Sequence, residues 1–143
     1  MAKDIEKYPM APSDYRNFLR QVDLEEISLD CCSVKTNRNN LGNNLKVEVQ
    51  HKANYTIEED NSAVITSSYD LTATMAKKKD FAIKVTCAFR VILSSEQPLT
   101  DDFMKIYNEI NVDKNTWPYY REFVQNMIIR AGFPPLTLPL IKR

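Results

Sequence analysis

The apolar positions of this chain run first at helical spacing, then in alternation, then at helical spacing again before a proline-punctuated tail. Tyr15, Phe18, Leu19 and Val22 recur at i, i+3, i+4 and i+7, which places them on one helical face. Pro12-Ser13-Asp14 reads as the start, with Ser13 as cap, and predicts a short helix from about Asp14 to Gln21. Residues 1–11 are polar and mixed and are expected to fray.

The period then changes to two. Ile27, Leu29 and Cys31 alternate with Glu26, Ser28 and Asp30. A turn-rich loop, Asn37 to Asn44, follows. Leu45, Val47, Val49, His51, Ala53 and Tyr55 share one strand face. Ile65, Ser67, Tyr69, Leu71, Ala73 and Met75 share a second, and Phe81, Ile83, Val85, Cys87, Phe89, Val91 and Leu93 a third. Polar turns at Glu58 to Ser62 and at Lys77 to Asp80 separate them. Four strands joined by short polar turns predict an antiparallel meander, because a parallel sheet needs crossover helices.

Thr100 caps the next helix, with Asp101 and Asp102 in its first turn and Phe103, Ile106, Tyr107 and Ile110 as its apolar stripe. The last helix is expected to open at Asn115-Thr116-Trp117-Pro118, with Pro118 in the first turn, where a missing N–H costs nothing. Tyr120, Phe123, Val124, Met127, Ile128 and Ala131 recur along it, Gly132 reads as a left-handed cap, and Pro134-Pro135 forbids continuation. The result is one α+β domain over 1–143, with one sheet and few helices.

Lys plus Arg and Asp plus Glu both number 19 in the 143 residues, so the formal net charge is zero. That argues against a nucleic-acid partner held by bulk electrostatics and gives little charge protection against self-association. Cys31, Cys32 and Cys87 are an odd set without zinc-ligand spacing, and read as reduced thiols. With no leader pattern and no long apolar run, the expectation is a cytoplasmic protein without membrane insertion.

Catalytic constellations are sparse. His51, the only histidine, falls on the apolar phase of its strand and reads as a packed or edge residue. There is no Gly-rich phosphate loop, so no cofactor and no metal are expected. Arg121 and Glu122, expected in the first turn of the last helix, make Arg121 a candidate partner for an acid elsewhere.

The larger signal is apolar excess. Trp117, Tyr119, Tyr120, Phe123, Met127, Phe133, Leu136, Leu138, Leu140 and Ile141 crowd into the C-terminal stretch. Tyr119 and Ile129 lie off the main stripe of the helix, which suits a helix covered on more than one side. The cover is another subunit, a bound chain, or the sheet and tail of the same protomer.

These residues resemble the SecB family of export chaperones. The likeness runs from Tyr15-x-x-Phe18-Leu19 and Leu24-x-x-Ile27-x-Leu29 through four alternating strands. It is strongest at Trp117-Pro118-Tyr119-Tyr120-Arg121-Glu122 and Gly132-Phe133-Pro134-Pro135-Leu136-x-Leu138. The resemblance implies a four-stranded antiparallel sheet with helices packed on one face, and a homotetramer built as a dimer of dimers, with the penultimate helices between sheets. It also implies ATP-independent binding of unfolded polypeptide in long apolar grooves. Trp117, Tyr119, Phe133, Leu136, Leu138 and Ile141 become candidate client-binding residues. Tyr120, Phe123, Val124, Met127 and Ile128 become candidate interface residues. Other members carry a second C-terminal helix and a tail, implicated in covering the groove and docking the SecA motor. This sequence stops at Arg143, which puts SecA docking in question. Short SecB-like proteins also serve as dedicated chaperones of antitoxins. A structural oligomer without clients and a small enzyme are the readings from other classes.

Overall fold

In the computed structural model, residues 8–42, 45–75 and 79–139 are described. Helix α1 (Pro12–Leu19) leads into strands β1 (Val22–Thr36), β2 (Leu45–Glu58), β3 (Ser62–Met75) and β4 (Phe81–Ser95), then helices α2 (Asp101–Ile110) and α3 (Val112–Arg130). The strands form one antiparallel sheet in the order β1-β4-β3-β2.

The meander expected from the short turns holds for β2, β3 and β4, but β1 departs from it and pairs with β4. The reason lies in the segment after β1. It passes under the start of β4, where Asn37 N–H donates to the Ala82 carbonyl at 2.8 Å and Asn40 Nδ2 to the Phe81 carbonyl at 3.3 Å. A 3-10 turn at Arg38–Asn40 bends it, and Gly42 passes against the end of Met75. A Cβ at Gly42 would stand 2.3 Å from Met75 Cε, so a larger residue requires Met75 to move. The chain thereby crosses the sheet end and β2 enters on the far side.

The apolar faces of β3 and β4 are the floor of the core, with Ile65, Leu71, Val85, Val91 and Leu93 all fully buried. Asp60 and Asn61, at φ 64° and 56°, turn β2 into β3 with residues that tolerate the left-handed region. Lys77 and Lys78 of the expected Lys77 to Asp80 turn lie outside the described residues.

Two clusters cover the floor. One joins α1 and α2 to the sheet through Tyr15, Phe18 and Phe103, whose rings stand 4.5–5.1 Å apart. Tyr8 and Met10, in the stretch expected to fray, lie against this cluster. The other joins α3 to the sheet through Tyr120, Val124 and Ile128. Burying each such side chain is worth roughly 1.5–3 kcal/mol.

The helix starts differ from the sequence reading. α1 begins at Pro12 with Ala11 before it and no side-chain cap, so Ser13 lies inside the helix. Proline at the first position supplies the preset φ that replaces the cap. α3 begins at Val112, leaving Pro118 inside it and Arg121 and Glu122 in mid-helix. Pro118 is exposed, as is Lys114 four residues before it, so water can satisfy the carbonyl that proline leaves unpaired. Thr100 caps α2 as expected, accepting from Phe103 N–H at 3.2 Å.

Candidate functional site

The C-terminal stretch folds back on its own protomer. Gly132, at φ 81°, ends α3: its N–H donates to the Ile129 carbonyl and Phe133 N–H donates to the Ile128 carbonyl, at 3.0 and 3.1 Å. This closure turns Phe133 into the core, at 5% exposure. Arg38 then stands 4.9 Å over the Phe133 ring and donates through Nη2 to the Ala131 carbonyl. Further on, Trp117 Nε1 donates to the Pro139 carbonyl and Arg121 Nε to the Leu138 carbonyl, each at 2.8 Å. The tail is thus strapped along one flank of α3 by two side chains of that helix.

The candidate residues divide accordingly. Tyr120, Val124 and Ile128 point into the protomer's own sheet, with Tyr120 OH donating to the Val85 carbonyl at 2.7 Å. Phe133 and Leu138 are buried under the tail, while Trp117 and Leu136 are half-buried beside them. Phe123 and Met127 are half-buried on the opposite flank, and Tyr119 is 50% exposed there. Ile141 lies outside the described residues. Arg121 pairs with a backbone carbonyl rather than with an acid.

Two of the apolar hollows among the described residues lie one on each side of α3. The first, about 300 Å³, is lined by Leu41, Leu45 and Val47 on one side and by Ile128, Phe133 and Leu136 on the other. It runs beside β2, a 14-residue edge strand whose inward residues Leu45, Val47 and Val49 are only half-buried. The second, about 230 Å³, lies between β1 and the other flank of α3, lined by Leu29, Phe89, Tyr119, Phe123 and Met127. It continues along β1, whose helix-facing residues Leu24, Leu29 and Val34 stand 44%, 47% and 37% exposed because no helix among the described residues lies over that strand.

Sequence reasoning missed Leu41, Leu45 and Val47 as groove residues and Leu24 and Val34 as exposed apolar ones. The alternation of β2 was visible, but its place at the sheet edge was not. In β1, register shifts between Leu24 and Glu26 and between Leu29 and Cys31 break the two-residue period that would have exposed the stripe.

A polar chain runs from exposed His51 to buried Ser67, Tyr69 and Thr116 beneath α3. His51 Nε2 is 2.7 Å from Ser67 Oγ, and Ser67 and Tyr69 hydroxyls are each 2.9 Å from Thr116 Oγ1. Thr116 donates its one proton to the Val112 carbonyl at 3.0 Å. Tyr69 OH also lies 3.4 Å from the Asp113 carbonyl, a second acceptor for its proton. Ser67 is fully buried. This arrangement ties α3 to the sheet. His51 also stacks on Tyr69, ring centres 4.4 Å apart.

Burial, with the nearby Cys87 and Asp70 adding to it, raises the Tyr120 phenol far above its ordinary range, and burial pushes Tyr107 up to about 12. Among the described residues, no three His, Cys, Asp or Glu side chains converge as a metal would require. No helix among them is long and apolar enough to cross a membrane.

The sequence matches the SecB family model, preprotein translocase subunit SecB, over residues 16–142. The fold is similar to that of a SecB-like chaperone from Mycobacterium tuberculosis, solved in complex with a ChAD peptide from the HigA1 antitoxin. That match has a TM-score of 0.78 and 17% identity, covering 91% of this chain and 98% of that one. A protein of unknown function from Streptococcus agalactiae aligns at a TM-score of 0.42 and 13% identity, over 84% of this chain and 98% of that one. No curated protein matches the sequence.

Proposed function

Since the chain belongs to the SecB family, whose members are chaperones, we propose that it holds unfolded polypeptide without ATP, in the hollow between β2 and the strapped tail. One observation carries this reading: an open apolar hollow runs beside β2, a 14-residue strand at the sheet edge among the described residues. An extended client laid there gains from both parts. Its backbone pairs with edge-facing groups in the Leu45–Val49 part of β2, which reads no sequence, and its apolar side chains enter the hollow at Leu45, Val47 and Leu136. Backbone pairing gives breadth, and the hollow selects apolar over folded, polar surface. Each large side chain accommodated contributes about 1.5–3 kcal/mol, so a few suffice for reversible holding.

The β1 side serves a different purpose in this reading. Leu24, Leu29, Val34, Tyr119, Phe123 and Met127 make a stripe that a second copy of the chain covers, giving the homo-oligomer. Within the assembly, Tyr120, Val124 and Ile128 hold α3 on its own sheet and act on the interface only by positioning its flank. The protein works in the cytoplasm, with its cysteines reduced, and does no chemistry on its client.

The test is suppression of aggregation of a chemically unfolded client, diluted into the protein at near-stoichiometric ratio without nucleotide. Suppression with a stable complex supports the reading; unchanged aggregation and no complex refutes it. A second reading, a dedicated antitoxin chaperone, draws support from the antitoxin peptide held on the same fold in the mycobacterial neighbour. A single co-purifying small protein, with no protection of unrelated clients, would favour it.

A further inference from the structure

The zero net charge of the chain is divided between the two ends of its sheet. At one end, β1 opens with Asp23, Glu25 and Glu26, and the turn after β2 carries Glu58, Glu59 and Asp60, all exposed. The register gathers these segments, since Val22 pairs with Ser95, Ser62 with Ser94 and Glu58 with Ser62. At the other end, where Leu45 pairs with Met75 and Thr36 with Ile83, stand Lys35, Arg38, Lys79 and Lys84. Asp80 and Glu48 oppose them, and Glu48 is engaged by Lys46 at 3.1 Å.

The apolar hollow beside β2 opens at this basic end, with Leu41, Leu45 and Val47 as one wall. Arg38 stands at its rim. Phe133, which lines the hollow, lies under the guanidinium with its ring centre 4.9 Å away, and Leu41 of the other wall follows Arg38 in the chain. Arg38 Nη2 donates to the Ala131 carbonyl. Stacking and this bond fix the plane of the group, while Arg38 stays exposed and has no carboxylate partner among the described residues. A guanidinium presents its N–H donors in a rigid fork that matches a carboxylate, and one already held in place loses little freedom on pairing. Phe133 and Leu41 set it on the β2 side of α3, apart from the flank of Tyr119, Phe123 and Met127 that the second copy covers.

We infer that the client segment held beside β2 is an apolar stretch flanked by aspartate or glutamate, and that Arg38 receives the flanking carboxylate. The inference rests on the client-holding reading and narrows it. Apolar side chains fill the hollow and supply the affinity. The carboxylate meets Arg38 in a charge-assisted pair, and the neighbouring lysines raise the local concentration of acidic chains. A client flanked by lysine or arginine brings like charges to the same rim and is disfavoured. The preference belongs to this end of the sheet, because the whole chain carries no net charge to impose it.

Labelled peptides test it, sharing one alternating Val-Thr-Leu-Thr-Val centre and flanked on both sides by Glu-Glu, Gln-Gln or Lys-Lys. Their affinity for the full chain is read by fluorescence anisotropy without nucleotide, at low and at high salt. The Glu-flanked peptide should bind about five-fold tighter than the Gln-flanked one, with the Lys-flanked one weakest, and the spread should narrow as salt screens the charges. Arg38→Gln, which keeps a donor for the Ala131 carbonyl, should cut that advantage below about two-fold without weakening the Gln-flanked peptide. Arg38→Glu should reverse the order. Both variants should keep unfolding midpoints near the parent's. A uniform loss for every peptide in the Arg38 variants would mark a merely structural role and overturn the assignment. Equal affinities in the parent, or a preference for the Lys-flanked peptide, overturn the inference and leave client holding standing. Binding of none of the peptides overturns both.

Discussion

Tyr120 of α3 donates its phenolic hydrogen to the backbone carbonyl of Val85 in β4, 2.7 Å away and fully out of solvent. A helix residue thus bonds to the middle of a central strand, while its ring stacks on Tyr69 at 4.6 Å. Tyr120→Phe keeps the ring and removes only the donor. It should lower unfolding free energy by about 1 kcal/mol, read as a shift of the urea midpoint at unchanged slope. Tyr120→Asp buries a charge without a partner and should abolish the cooperative transition. Equal stability of the Phe variant and the parent would show that the bond contributes nothing.

The turn at Gly132 separates strain from crowding. Its φ is 81°, and the nearest atom a Cβ would meet is Arg38 Nη1 at 3.8 Å, an ordinary contact. Gly132→Ala should therefore cost about 1 kcal/mol through backbone conformation alone. Gly132→Asn should cost less, because asparagine tolerates the left-handed region. Thermal unfolding of both variants checks the order; a smaller loss for Ala than for Asn contradicts it.

Alkaline pH should destabilise the fold. Cys87 and Tyr107 are both raised to about 12 in the folded state, from 9.0 and 10.0, and Tyr120 is raised further, burial being the main cause in each. A group whose folded value exceeds its unfolded one gives stability that is complete below the unfolded value and declines as pH climbs toward the folded one. Stability should be flat from about pH 7 to 9 and then fall, approaching about 1.4 kcal/mol per pH unit for each group engaged. Urea midpoints across pH 7–11 measure this; a midpoint constant to pH 11 would contradict it.

Assembly and folding should be separable on α3. Tyr119 and Phe123 flank the β1 hollow without entering the core, at exposed and half-buried positions. Tyr119→Asp with Phe123→Asp should convert the proposed oligomer to a folded monomer in light scattering, with its helical circular dichroism kept. Retention of the parent mass would place the subunit contact elsewhere.

The strand faces of β3 and β4 were legible in the sequence because both alternate over a buried floor, as in Ile65, Ser67, Tyr69 and Leu71; Phe81, beyond a register shift, falls off the face expected for it. The crossing of β1 to β4 was not. Partner choice among antiparallel strands is decided by the path of the loop, here the turn at Arg38–Asn40 and the Gly42 passage, and neither sets a hydrophobic period. Pro118 misled for a local reason: proline is common at helix starts, yet here exposed surroundings let it sit inside one. The tail was legible as apolar and rigid. That it returns to strap α3 depends on Trp117 and Arg121 reaching carbonyls 22 and 17 residues away, which composition cannot reveal. The hollow beside β2 follows from that return, so it too was hidden.

The most direct test of client holding in that hollow is the affinity of an unfolded client for Leu45→Asp and Leu136→Asp variants, by fluorescence anisotropy without nucleotide. Both residues are half-buried on the hollow's two walls, so the fold should persist. Losing one apolar contact of about 1.5–3 kcal/mol corresponds to a rise in Kd of roughly ten-fold or more. The account predicts that rise in each variant, with unfolding midpoints near the parent's. Parent-like affinity in both folded variants would contradict it.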